Sequence, residues 1–99
     1  MIIRISELEA TVHETDDLTR LHIECSSDNT AADGALRRSG LGYVIGADQA
    51  VLDAAAIRSR CTDPTPDWER RWDAMITYAT TKGWTRDSGR SIVAHIETP

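Results

Sequence analysis

The clearest alternation of apolar and polar positions lies in residues 7–26. Leu8, Ala10 and Val12 share one parity and Glu9, Thr11 and His13 the other; Leu21, Ile23 and Cys25 alternate in the same way with Arg20, His22 and Glu24. A period of two marks a strand with one buried face. Folding the stretch about Asp16-Asp17 sets Val12 against Leu21, Ala10 against Ile23 and Leu8 against Cys25 on one face. Thr11 then meets His22, His13 meets Arg20 and Glu9 meets Glu24 on the other. A one-residue slip would mix the two sets, so the pattern predicts a β-hairpin with an apolar and a polar side. Ile2, Ile3 and Ile5 lead into its first strand, with a bulge near Ser6-Glu7.

Residues 26–40 are rich in Ser, Asp, Asn, Gly and Ala and hold no sustained period, which predicts a long loop. Ala31–Arg38 suits one or two helical turns, but Gly34 weakens that reading. The stretch from Gly40 to Gly46 reads as a strand, followed by a turn at Ala47-Asp48 and a second short strand at Gln49–Leu52. Its glycines are not a phosphate-binding loop, because no helix start follows at the required spacing.

Asp53 is a good N-cap for a short helix over Ala54–Arg60. Asp63-Pro-Thr-Pro66 breaks the chain, and Thr65 and Pro66 suit the N-cap and first position of the main helix, residues 66–82. Trp68, Trp72, Met75, Ile76 and Ala79 fall on one helical stripe, with Arg70, Asp73, Thr77, Thr80 and Thr81 opposite. Asp67 and Glu69 complement the dipole in the first turn, and Gly83 ends the helix. Trp84 is expected to pack back under that end; a partly exposed Trp there would point to an interface. A short strand, a turn at Asp87-Ser-Gly89 and a closing strand at Ser91–Glu97 complete the chain. Ile92, Ala94 and Ile96 share one face of the last strand and Val93 and His95 the other.

These elements predict a single small α+β domain over residues 1–99. An antiparallel sheet of four to six strands has two helices packed on one face, in the order β-hairpin, loop, β-hairpin, α, α, β-hairpin. The other face is left polar to amphipathic.

Charge narrows the function. The chain has 99 residues and a net charge of −5. Residues 1–33 hold Arg4 and Arg20 against eight acids, a net of −6, while the remainder is close to neutral. Such a balance repels phosphate backbones and excludes general nucleic-acid binding. The N-terminal residues lack a charged leader and an apolar core, and no run approaches the ~20 apolar residues of a membrane span. A cytoplasmic protein without membrane contact is the expectation, so Cys25 and Cys61 are read as free thiols, with Cys25 on the apolar face.

One polar cluster carries candidate chemistry: His13, His22, Glu24 and Glu9 on the hairpin's polar face, with His95 able to join from the last strand. Imidazole beside carboxylate suits acid–base work or zinc. The polar face of an antiparallel sheet also carries such residues with no chemical task. No catalytic motif accompanies them, no cysteine or histidine stands at metal-ligand spacing from Cys25 or Cys61, and the Ser/Asp/Asn loop lacks the ligand spacing of a calcium site. No catalytic residue, metal or cofactor is therefore assigned. The expected function is a non-catalytic interaction or regulatory module, a homodimer through its sheet or a binder of another protein. The alternative is a small enzyme or metal-binding protein using the His/Glu cluster.

Overall fold

A computed structural model describes residues 1–6, 8–61 and 64–98. It is α+β, with a seven-stranded sheet and three helices. The strands are β1 (Ile2–Ser6), β2 (Glu9–His13), β3 (His22–Glu24), β4 (Gly42–Val44), β5 (Gln49–Asp53), β6 (Thr85–Arg86) and β7 (Ser91–Glu97). The helices are α1 (Asn29–Arg38), α2 (Ala54–Ser59) and α3 (Pro66–Thr81).

The sheet order is β2-β1-β3-β7-β5-β4, with β6 also on β7. The sheet is mixed rather than antiparallel: β1, β3 and β7 run parallel, while β2, β5, β4 and β6 run against their neighbours. The expected pairing of residues 7–13 with 20–26 does not form. β1 hairpins onto β2 instead, with Ile2 opposite His13 and Ser6 opposite Glu9, and then lies between β2 and β3. A local closure through two residues loses less chain entropy than one through an eight-residue loop. The face assignment survives. Val12, Ile3 and Ile23 now form one row and His13, Ile2 and His22 the next, so the inserted strand shifts the expected register by an even number. The bulge expected near Ser6-Glu7 falls partly outside the described residues; Ser6 itself pairs regularly with Glu9.

The expected loop over 26–40 contains α1. Asp28 caps it by accepting the Ala31 N–H at 2.9 Å, and Ala32, Ala35 and Leu36 are fully buried. That burial outweighs the ~1 kcal/mol that a mid-helix Gly34 costs. The later elements follow expectation closely. Asp53 caps α2, Thr65 caps α3 with Pro66 in the first turn, and Gly83 takes φ +77° just past the helix. With α1 included, the order becomes three strands, a helix, a β-hairpin, two helices and a β-hairpin.

α1 touches both edges of the sheet. Asp33 Oδ1 accepts the Val44 N–H of β4 at 2.9 Å, and Ser39 Oγ, just past the helix, accepts the Ala10 N–H of β2 at 2.9 Å. The sheet therefore curls until one helix spans the gap between its edge strands, which also blunts both edges. The concave face, built of Ile3, Ala10, Ile23, Ala50, Leu52, Ile92 and Ala94, packs on Leu36, Ile57, Trp68 and Trp72. Among the described residues this core holds no buried polar side chain. Cys25 and Cys61 are free and buried, and burial pushes the Cys61 thiol pKa up. No described helix is long and apolar enough to cross a membrane.

Candidate functional site

The strand registers settle where the polar cluster lies. His13, Ile2, His22, His95 and Gln49 form one cross-strand row on the convex face, and Thr11, Arg4, Glu24 and Glu97 form the next. All three histidines share a face and a row; His95 stands directly beside His22, and His13 is set apart from both. Neighbouring strands lie ~5 Å apart, and the intervening β1 places His13 about 10 Å from His22.

Each histidine has its own partner. His13 Nε2 is 2.7 Å from Thr11 Oγ1. His22 Nε2 sits 3.4 Å from both Glu24 Oε1 and Glu97 Oε2, and Glu24 also receives Arg4 at 3.4 Å. His95 Nδ1 is 3.6 Å from Asp48 Oδ2 at the turn before β5. Glu9 is opposite Ser6 and far from Glu24, so the repulsive Glu9–Glu24 pair expected from the sequence is absent. The group that forms is Arg4–Glu24–His22–Glu97. Among the described residues, no set of three or more His, Cys, Asp or Glu side chains is arranged to hold a metal ion.

Beside the polar rows runs a feature that the sequence reading missed. Tyr43 pairs with Val51, Val51 with Val93, and the Val93 N–H bonds to the Trp84 carbonyl at 2.7 Å. Trp84, Val93, Val51 and Tyr43 thus line up across the convex face. Ile45, whose N–H bonds to the Gln49 carbonyl, stands two residues beyond Tyr43. Trp84 is 49% exposed, and Tyr43 and Ile45 each 39%. The expectation that Trp84 packs beneath α3 is corrected: it meets Tyr78 edge-on, with ring centroids 6.0 Å apart, and remains half in solvent. Trp68 and Trp72, by contrast, stack at 5.5 Å inside the core, and the Trp68 indole N–H donates to the Thr15 carbonyl. The parity of Tyr43, Val51 and Val93 was readable; their alignment across three strands was not, because it needs the sheet order.

A groove of about 610 Å³ opens at the Trp84 end of this row. One edge of β7 pairs with β6 at Ser91-Ile92 and with β3 from His95 onward. Leu21 and Trp84 flank the gap where the edge changes neighbour.

No protein-family model, no curated protein and no solved structure matches this chain.

Proposed function

We propose that the chain is a non-catalytic interaction module that self-associates through the convex face of its sheet. The carrying observation is the row Trp84–Val93–Val51–Tyr43, with Ile45 beside it. Trp84, Tyr43 and Ile45 are its exposed members, Val51 between them is buried, and the Arg37 guanidinium of α1 lies 5.4 Å from the Tyr43 ring centre. Exposed aromatic anchors bordered by polar rows have the composition of an association patch.

Two further observations support this reading. Asp33 and Ser39 occupy outward N–H groups of the edge strands, which favours the face over strand addition. On the His95 side of the strip the charges are paired within the protomer, His95 with Asp48, and one row further on Arg4 with Glu24 and His22 with Glu24 and Glu97. A second copy can approach without a block of like charge opposing it.

Sedimentation equilibrium over a wide concentration range is the test. The wild type is expected to reach a dimer, and the Tyr43→Ser/Ile45→Ser variant to dimerise at least about tenfold more weakly, as loss of two anchors implies. A wild type that stays monomeric at millimolar concentration removes the proposal.

A further inference from the structure

We propose that the groove at the split edge of β7 binds a small amphipathic ligand with an apolar body and a cationic, ammonium-type head. The site lies apart from the polar rows of the convex face; it shares Trp84 and Val93 with the apolar row, while Leu21, Met75, Ala79 and Ile92 belong to the groove alone.

The cavity follows from the topology. β3 and β6 share one edge of β7 without meeting, so the sheet is open between Leu21 and Trp84. Ile92 forms the floor, and Met75 and Ala79 of α3 form the far side. A volume of about 610 Å³ with walls of this kind falls in the range of small-ligand sites.

The near wall, residues 14–21, is fixed before any ligand arrives. The Trp68 indole N–H donates to the Thr15 carbonyl at 2.7 Å, and Arg71 Nη1 donates to the Asp16 carbonyl at 2.7 Å. The Met1 amine donates to the Asp17 and Arg20 carbonyls, and Leu18 is buried in the core. A wall held by bonds to α3 and β1 needs little ordering on binding.

Charge at the rim selects the head group. Asp16, Asp17 and Arg71 border the opening. The Arg71 guanidinium is already engaged by Asp67 Oδ2 at 3.1 Å and by the Asp16 carbonyl. Neither the Asp16 nor the Asp17 carboxylate forms an ion pair among the described residues. The hydroxyl and then the amide of Thr19 bond to Asp17 Oδ1 and lower the Asp17 pKa, with weaker help from the Met1 amine and Arg20. The rim thus sets two carboxylates without an ion-pair partner among the described residues, one of them oriented by Thr19, above an apolar slot.

Octylamine, octanol and octanoate share a body and differ in head group. Titrated separately into isotope-labelled protein at one fixed concentration and neutral pH, octylamine is expected to give saturable NMR shifts at the Leu21, Met75 and Ile92 methyls. Octanol should bind more weakly and octanoate weakest. Asp17→Asn keeps an acceptor for Thr19 and is expected to weaken octylamine about threefold to fivefold while leaving octanol unchanged. Two results overturn the proposal: no saturable shift at these methyls with any of the three, or octanoate binding as tightly as octylamine. Equal loss of octylamine and octanol affinity in Asp17→Asn overturns the role given to the head group.

Discussion

Ile23 and His22 are neighbours on β3, yet they belong to different parts of the molecule. Ile23 points into the concave face, is wholly buried and sits in a row with Ile3 and Ile96. His22 points outward, in a row with Ile2 and His95, and is held by surface carboxylates. The concave face is aliphatic, rich in alanine and sealed by three helices. The convex face has polar rows that neutralise themselves and one apolar row whose Trp84, Tyr43 and Ile45 are partly exposed. The contrast separates residues that specify the fold from residues free to meet something else. The exposed Trp84, Tyr43 and Ile45 at the ends of that row add less to the fold than the buried Val51 between them, which is why they carry the functional reading.

Substitutions on the two faces test the separation. Ile23→Ala is expected to cost about 3–4 kcal/mol in denaturant unfolding, since the curled sheet leaves little room to collapse around the cavity. Gly42→Ala comes next. A Cβ there would overlap the Val51 carbonyl oxygen and lie 3.0 Å from the Leu52 Cα, both backbone atoms that cannot turn aside. A loss of about 2–3 kcal/mol is expected, with the β4–β5 hairpin the first region to lose amide protection. A neutral Gly42→Ala would mean that β4 is not held this tightly on β5.

Asp33 ties α1 to β4, and its removal has a smaller effect with a pH signature. The Val44 N–H, and then the Arg37 guanidinium at 2.8 Å, hold its pKa below the ordinary carboxylate value. A depressed folded pKa gives stability that is complete above the unfolded carboxyl value, about 4, and is lost as pH falls through the lower folded value. Asp33→Ala is expected to cost about 1 kcal/mol at neutral pH and less in acid, whereas Asp33→Asn keeps the acceptor and flattens the pH profile. The smallest effect belongs to the convex face: His22→Ala should change stability by no more than about 0.5 kcal/mol. If His22→Ala costs as much as Ile23→Ala, the two faces are not distinct and the contrast fails.

The legibility of the sequence followed the same division. Side-chain parity placed every residue of the expected cluster on one face, because alternation depends only on the strand itself. The second half of the chain was equally readable: Thr65-Pro66 and Gly83 bound α3, and the Ser91–Glu97 strand appears as expected. What the pattern did not contain was neighbour identity. Ile2–Ser6 is a complete strand that competes for the edge of residues 9–13, and its short connection wins. Gly34 concealed α1 because the burial of Leu36 against the sheet is a tertiary event. The pairing error reached the candidate site. Inserting β1 separates His13 from His22, the parallel placement of β7 brings His95 beside His22, and the antiparallel pairing of β4, β5 and β6 around β7 aligns Trp84, Val93, Val51 and Tyr43.

The central claim, that the convex apolar row is the association surface, is tested most directly by following amide NMR shifts as protein concentration rises. The account predicts that Tyr43, Ile45, Val51, Trp84 and Val93 move together and saturate, while Ala32, Leu36 and Ile57 stay fixed. Shifts confined to α2 and α3, or none at any concentration, would contradict it.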